Sequence, residues 1–278
     1  MATITAKMVS ELRKTTGAGM MDCKKVLAET DGNFDEAIKL LREKGQAKAA
    51  KRLGNETTEG RVFSIVSDDH KKVAMVSMTC ETEPVAGVEQ FVEFGNKVIN
   101  AVYNKEDLSA FDEALTEIRA GLGENITIKE NTLVEGDYVE NYIHTNKKVG
   151  VIVKLKLADV AKASEDAVKE LGRNLALQVA SLAPKSISRE DLDPEFINSE
   201  KEILINQLKE DPKNKNKPEN ILEKIVEGRL GKLFSEACLL DQEYVKEKMT
   251  ISELIDGVSK EVGTEISVDQ FIRYYIGA

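Results

Sequence analysis

The spacing of the apolar residues changes near residue 59, and this change limits the folds that the chain can adopt. Before it, apolar residues recur every three or four positions, which is the period of amphipathic helices. After it, they alternate along short runs, which is typical of strands with one buried face. The chain has 278 residues, enough for two or three compact domains. We therefore expect an α+β protein that begins with a helical domain.

Residues 1–45 are predicted to form a bundle of three helices. The first helix ends at the glycine-rich turn 17–19, and the second begins near Met20. The third helix is expected to start at the N-cap residue Asn33 and to end at Gly45, where a C-cap glycine fits. Bundles of this size are similar to ubiquitin-associated (UBA-like) domains.

Residues 46–59 are polar and basic, and we expect a linker whose first half can be helical. Beyond it, alternating runs over residues 61–66 and 72–80 predict a β-hairpin. A helix should follow, because apolar residues recur at spacings of three and four through residues 88–102. One face of the second strand is expected to carry Val73, Met75 and Ser77.

The same hairpin is predicted to occur twice. Shifting the chain by 76 residues places residues 71–73 on residues 147–149, both Lys-Lys-Val. The second hairpin then spans residues 138–157 and is again followed by a helical pattern. We therefore divide the core into an N subdomain, residues 60–134, and a C subdomain, residues 135–278.

Residues 193–235 are predicted to form a helical hairpin inserted into the C subdomain. Two helical stretches, about 193–210 and 218–235, flank a polar segment with two prolines, which indicates a loop. Some apolar residues are expected to stay uncovered and to pack against a second copy of the chain. These residues are Ile203, Leu222 and Val226. A helix over 251–262 and a strand over 268–276 should follow, the strand pairing with the second hairpin.

The composition limits the function. A net charge of -10 argues against a general nucleic-acid binder, because binding phosphates requires an excess of Lys and Arg. No apolar run is long enough to span a membrane and no secretory signal is present, so we expect a cytoplasmic protein. The three cysteines lie far apart, so neither a disulfide framework nor a metal site is predicted. We expect no cofactor.

The sequence carries no recognisable catalytic constellation. The two histidines, His70 and His144, fall in predicted hairpin turns and have no nucleophile or metal ligand at a familiar spacing. We interpret both as surface residues and predict that the protein is not an enzyme. The turn 17–19 is not a phosphate-binding loop, because Asp22 stands where the third glycine is required.

Two short segments are candidates for binding, and each also has a structural explanation. Met20 and Met21 follow a tight turn, so one at least should be exposed, and methionine suits an adaptable binding surface. A core position for the pair stays equally open. Glu81 and Glu83 precede a predicted helix, where acidic side chains commonly complement the helix dipole.

Residues 11–24, ELRKTTGAGMMDCK, strongly resemble the N-terminal signature of the bacterial elongation factor Ts family. Residues 80–86, CETEPVA, look like the second motif of that family. The resemblance continues through residues 123–126 and the strand pair around His144 and residues 149–153. It therefore covers nearly the whole chain.

The resemblance implies a guanine nucleotide exchange factor. Members of the family bind elongation factor Tu and promote GDP release, which requires only tighter binding to the nucleotide-free partner. The implied fold has a three-helix domain, a duplicated core and a protruding helical hairpin used in dimer contacts. Carried over by position, the implied partner-binding residues are Leu12, Met20, Met21, Thr82, Glu83, Pro84, Val85 and His144.

The implied roles differ along the chain. Leu12, Met20 and Met21 would bind the nucleotide-binding domain of elongation factor Tu. Glu83 and Pro84 would approach its magnesium site and switch region, and the strand tips near His144 would contact a second domain.

The sequence departs from the family pattern at two places. The family usually has Asp-Phe where this chain has Glu83-Pro84, so the carboxylate reaches one methylene further and the aromatic side chain is missing. We expect weaker disruption of the magnesium site as a result. The sequence stops at Ala278, whereas some members continue into a C-terminal helical module, so that contact is expected to be absent.

A second function remains open from the N-terminal bundle alone. UBA-like bundles use the loop after their first helix for contacts, and that loop precedes Met20 and Met21. The chain would then be a polypeptide-binding adapter without exchange activity.

Overall fold

The computed structural model describes residues 3–210 and 219–277. Three helices come first, followed by two three-stranded antiparallel sheets with helices packed against them. The helices are α1 Ala6–Thr16, α2 Met20–Glu29, α3 Phe34–Arg52, α4 Glu83–Ala86, α5 Glu89–Asn104, α6 Asp112–Leu122, α7 Asp166–Leu182, α8 Pro194–Glu210, α9 Glu219–Ala237 and α10 Ile251–Val262. The strands are β1 Glu59–Val66, β2 Lys72–Cys80, β3 Ile126–Glu135, β4 Tyr138–Ile143, β5 Val149–Leu157 and β6 Ile266–Tyr275. The predicted α+β class is confirmed.

The N-terminal helices form a small bundle with its own core. The Thr5 side chain caps α1 by accepting a hydrogen bond from the Met8 backbone N–H, 3.3 Å away. Asn33 caps α3 in the same way, as predicted. Gly17 ends α1 in the left-handed conformation, with φ 69°, which costs glycine little. The bundle core consists of Val9, Leu12, Cys23, Val26, Leu27, Ala37 and Leu41.

The prediction that Gly45 ends the third helix is wrong, because α3 continues to Arg52. Gly45 instead lies where α3 crosses α6, and a Cβ there would be 3.0 Å from the Cβ and carbonyl oxygen of Ala120. The glycine therefore allows two helices to approach closely. The first half of the predicted linker 46–59 is thus part of α3. The UBA-like character of the bundle and the domain boundaries stay predictions.

The two sheets have the orders β1-β2-β3 and β4-β5-β6, with β2 and β5 in the middle. The third strand of the first sheet, β3, pairs with β2 along its whole length. The pairing of the last strand with the second hairpin is confirmed, because β6 pairs with β5.

β2 is buried on both faces. Its residues Ala74, Val76 and Met78 belong to a core with α5, whereas Val73 and Met75 pack against Val139 and Ile152 of the other sheet. The face predicted to carry Val73 and Met75 is therefore the surface that joins the two sheets. This second buried face explains why the strand is almost continuously apolar.

The duplication is confirmed in shape, but its register differs from the prediction by one residue. β2 and β5 each have nine residues, and their starts, Lys72 and Val149, are 77 positions apart. The turns before them carry positive φ at His70 and Lys147, again 77 apart. The bulges after Ser77 and Lys154 have the same separation. The Lys-Lys-Val match at 76 residues therefore pairs residues that are not structurally equivalent.

The two helices of the predicted hairpin are present as α8 and α9, and the predicted loop 211–218 lies outside the described residues. Arg189 anchors the base of the hairpin through two hydrogen bonds to Asp241, of 2.9 and 2.6 Å. Ile203 is exposed, as predicted, but Val226 is buried and Ile221 is exposed instead.

Among the described residues, no helix is long and apolar enough to cross a membrane.

Candidate partner-binding surface

Met20 and Met21 begin α2 and are both exposed, at 55% and 76%. The next apolar residue, Cys23, points into the bundle and is fully buried. The short turn from Gly17 to Gly19 thus leaves the two methionines on the outer side of the helix start. The alternative that this pair belongs to the core is therefore excluded in this structure.

Leu12 occupies a different environment from the two methionines. Its side chain is fully buried among the apolar residues that hold the three helices together. The predicted direct contact between Leu12 and a partner is therefore not available in this structure. Leu12 instead stabilises the helix that ends at the turn before Met20.

The turn before Met20 packs against the N subdomain. A Cβ on Gly17 would lie 2.0 Å from the side-chain nitrogen of Gln90, so a larger residue there would have to displace the Gln90 side chain. Gln90 is in the first turn of α5, which directly follows the short helix α4. The tertiary structure therefore brings the first family-like motif against α5, the helix that follows the second motif.

The second motif leaves the sheet at the end of β2. Thr82 is the N-cap of α4, and its hydroxyl donates to Glu124 over 2.6 Å while its N–H donates to the same carboxylate over 3.0 Å. Thr82, Glu83 and Pro84 are exposed, and Val85 is half-buried against the core of the N subdomain. Glu83 lies in the first turn of α4, so its proposed dipole-complement role also fits.

Cys80, the last residue of β2, packs beneath the exposed segment 82–84 on the buried side. Its buried thiol lies 3.2 Å from the Thr82 carbonyl oxygen. Burial raises the pKa of the thiol to about 12, so Cys80 remains protonated at neutral pH and serves as a packing residue.

Glu81 is a functional candidate that the sequence alone does not distinguish from Glu83. Its carboxylate accepts hydrogen bonds from the Asn125 N–H at 2.7 Å, and from the Arg52 guanidinium and the Asn55 amide at 2.9 Å each. Burial acts to raise the pKa of Glu81, but these donors together hold it below its ordinary value. The pattern of charges gave no sign of this network, because its members come from three separate segments.

The second predicted contact region lies at the turn between β4 and β5. His144 is exposed, and its Nδ1 is 2.8 Å from the Tyr142 hydroxyl. The turn is attached to the N subdomain, because the Lys147 carbonyl oxygen accepts a 2.7 Å hydrogen bond from the Val62 N–H. The His144 side chain is therefore displayed on a turn held by both sheets.

Lys148 connects this turn to the second motif electrostatically. Its ammonium group lies 2.5 Å from the Glu59 carboxylate. The hydrogen bond with Glu59 raises the pKa of Lys148, and the negative charge of Glu83 contributes in the same direction. Glu83 and the His144 turn therefore belong to one electrostatic neighbourhood, although they lie in different subdomains.

His70 differs from the prediction that both histidines are plain surface residues. Its ring stacks on Tyr138, with centroids 5.1 Å apart and planes 7° apart, and its Nδ1 is 3.4 Å from the buried Glu140 carboxylate. The Tyr138 hydroxyl donates to that carboxylate over 2.6 Å. His70 therefore belongs to the contact between the two sheets.

The described residues contain no group of three or more His, Cys, Asp or Glu side chains placed to hold a metal ion. What the surface displays is a pair of methionines, an exposed carboxylate beside a proline, and a tyrosine-histidine pair. Flexible apolar side chains and aromatic residues with polar tips are typical of protein-binding surfaces.

Comparison with known proteins gives a consistent result. The family model described as Elongation factor TS matches residues 81–278. The chain is 41% identical over 283 aligned positions to the Elongation factor Ts of Nitratidesulfovibrio vulgaris (strain DP4), covering 99% of this chain and 96% of that protein. It is 41% identical over 290 positions to that of Clostridium perfringens (strain SM101 / Type A), covering 99% and 93%. It is 39% identical over 289 positions to that of Desulfovibrio desulfuricans (strain ATCC 27774 / DSM 6949 / MB), covering both chains completely.

Proposed function

Because this chain belongs to the elongation factor Ts family and is therefore a translation elongation factor, we propose that it releases GDP from elongation factor Tu. In this proposal it binds the GDP-bound partner, disturbs its magnesium and phosphate site, and stabilises the nucleotide-free state. It makes or breaks no covalent bond. The observation that carries the proposal is the exposure of Met20 and Met21 after a turn that packs against α5, the helix that follows the exposed Glu83 and Pro84.

The thermodynamic requirement is a difference in affinity. If the factor binds the empty partner more tightly than the GDP-bound partner, then GDP weakens the binding of the factor. By reciprocity, the factor weakens the binding of GDP by the same ratio. Two exposed methionines can adapt to a partner surface that changes shape between these states. The turn before them packs against α5 of the N subdomain, which gives the contact a rigid support.

Glu83 and Pro84 are proposed to act at the partner's magnesium site. An added carboxylate near a bound magnesium ion competes for its water shell and adds negative charge close to the diphosphate. Glu83 is exposed and lies at the start of α4, so its carboxylate can reach the partner's magnesium site without unfolding of the core. The proline beside it is smaller than the aromatic residue usual in the family, so its apolar contact with the partner is correspondingly weaker.

The turn that carries His144 is proposed to contact a second domain of the partner. Tyr142 and His144 lie on the same face of β4 and its turn, and tyrosine is common among residues that dominate interface energies. Attachment of this turn to β1 fixes the spacing between the two contact regions.

Fluorescent GDP bound to elongation factor Tu provides the test. The wild-type protein should accelerate GDP release, and a Met20→Ala/Met21→Ala variant should reduce the rate at limiting concentration by about tenfold or more, since central interface side chains commonly carry this much binding energy. Val245→Ala, which trims an apolar side chain that is 50% exposed in the C subdomain, is the matched control.

No acceleration by the wild-type protein would exclude exchange. Binding of unfolded polypeptides without nucleotide release would then favour the adapter function, which uses the same exposed methionines.

A homodimer through the helical hairpin is a further part of the proposal. Ile203 on α8 and Ile221 on α9 are exposed at 48% and 39%. Isolated apolar side chains are common on surfaces, but two of them on paired helices suit a helix-helix contact between two copies.

A further inference from the structure

Glu81 lies at the junction between the sheet and α4. β2 ends at Cys80 and α4 begins at Glu83, so any rotation of α4 relative to the sheet must pass through residues 81 and 82. The Glu81 side chain is only 16% exposed and accepts three hydrogen bonds. A carboxylate held in this way fixes the backbone around it.

The donors to Glu81 come from two other segments. Arg52 is the last residue of α3 and Asn55 lies three residues further on, so both are close in the chain to the N-terminal bundle. Asn125 lies between α6 and β3 and is buried. Its side-chain amide also donates to the carbonyl oxygens of Leu53 and Asn55, at 3.3 and 2.9 Å. The network is therefore closed between the bundle, the sheet and the loop before β3.

This network complements two contacts that dock the bundle elsewhere. Gly17 packs on Gln90, and Gly45 packs on Ala120 with Arg42 bonded to Glu117 at 2.6 Å. Those contacts place the bundle on α5 and α6, but neither holds the start of α4. The Glu81 network joins the end of α3 to the residue that immediately precedes Thr82 and Glu83.

We propose that Glu81 is a positioning residue that fixes the Thr82-Glu83-Pro84 segment relative to the bundle carrying Met20 and Met21. The inference rests on the proposed exchange function and adds to it a residue that does not touch the partner. Two contact sites held at a fixed separation bind a rigid partner more tightly than two sites that must be ordered on binding. Glu81 thus acts on the affinity for elongation factor Tu through α4.

Glu81→Gln tests the proposal, because the amide keeps the size of the side chain but loses its charge. Labels are attached to Lys25→Cys on α2 and Glu83→Cys on α4, which are exposed, whereas the natural cysteines are buried. The distribution of distances between the two labels should be narrow in the protein that keeps Glu81 and broad in the Glu81→Gln variant. The half-saturating factor concentration for GDP release, measured without labels, should rise about tenfold, because charge-assisted hydrogen bonds are lost. The maximal rate should stay within about twofold, since the contacts still form once the complex is bound.

Asp241→Asn is the matched control, because it removes the carboxylate of an Arg pair at the hairpin base, far along the chain from α4. It should leave both measurements unchanged. Arg52→Gln serves as a second variant that removes the charged donor and leaves the Glu81 carboxylate in place, so a result is obtained even if Glu81→Gln does not fold.

The outcomes separate the two proposals. If the wild-type protein does not release GDP, the exchange function fails. If the wild-type protein releases GDP and the Glu81 and Arg52 variants have its half-saturating concentration, only the positioning role is overturned. A fall in maximal rate with unchanged half-saturation would also overturn it, since positioning acts before the complex forms.

Discussion

At the scale of single residues, the exposed start of α4 combines a carboxylate and a proline above a tightly held backbone. Thr82 is bonded to Glu124, and Glu81 to Arg52, Asn55 and Asn125. The side chains of Glu83 and Pro84 are exposed above this support. Substitutions at these two positions should therefore alter the proposed contact without unfolding the site.

Pro84→Phe should accelerate GDP release from elongation factor Tu by up to about tenfold. The larger ring restores an apolar wedge beside Glu83, and burying an aromatic side chain at an interface gains binding energy of this order. Pro194→Phe is the matched control, because Pro194 is also exposed at the start of a helix. Equal release rates for wild type and Pro84→Phe would mean that this position does not limit exchange.

The Glu81 network predicts how stability depends on pH. Because the folded-state pKa of Glu81 is below the ordinary value of 4.5, its contribution is present above that value and is lost as pH falls through the folded-state pKa. Thermal unfolding of wild type should therefore lose stability on acidification more steeply than Glu81→Gln, measured from pH 7 to about pH 3. Glu11→Gln, which removes an exposed carboxylate from α1, serves as the control. Parallel curves for wild type and Glu81→Gln would contradict the prediction.

At the scale of elements, α8 and α9 differ from the other long helices in how they are supported. Leu208 of α8 and Val226 of α9 are buried, yet Ile203 and Ile221 remain exposed on the same hairpin. The hairpin base is fixed by Arg189 and Asp241 and by the small core around Leu192 and Cys238. The hairpin is therefore anchored at one end and presents apolar residues away from it.

Ile203→Glu should convert a dimer into a monomer. A charged side chain at the centre of a helix-helix contact loses apolar burial and places an unpaired carboxylate there. Sedimentation velocity at several protein concentrations measures the change. Lys201→Glu, which alters the charge of an exposed residue on the same helix, should not change the oligomeric state. A wild-type protein that sediments as a monomer at all concentrations would rule out the hairpin dimer.

At the scale of the whole molecule, the two sheets share one buried interface. Val73 and Met75 of β2 pack against Val139 and Ile152, and His70 of the first sheet stacks on Tyr138 of the second. The duplicated halves are therefore not independent units. The spacing between the Glu83 segment and the His144 turn is determined by this interface.

Met75→Ala should destabilise both sheets, because Met75 lies in the core between them. Truncating a fully buried methionine typically lowers the free energy of unfolding by about 2–5 kcal/mol. Urea unfolding measures the loss, and amide hydrogen exchange at Val76 and Val153 should become faster in both sheets. Met78→Ala, which trims the core on the other face of β2, should affect Val76 more than Val153. Faster exchange in the first sheet alone after Met75→Ala would show that the halves unfold separately.

The sequence by itself determined most elements of this protein, because local periodicity reports which face of a helix or strand is buried. β2 and α10 have the predicted boundaries, and the N-cap at Asn33 depends only on neighbouring residues. The motifs that carry Met20, Met21 and Glu83 could also be found from the sequence, since each is a short continuous segment.

Only the tertiary structure decided the features that depend on contacts between distant segments. The local sequence around Gly45 predicts a helix end, but Gly45 is an interior residue of α3 at the point where α6 approaches closely. The one-residue shift in the repeat appears only when turns and bulges are compared. Glu81 has an ordinary local sequence, and its hydrogen bonds come from segments far away in the chain. Hydrogen bonding and packing between such segments leave no periodic trace, which is why the sequence could not predict them.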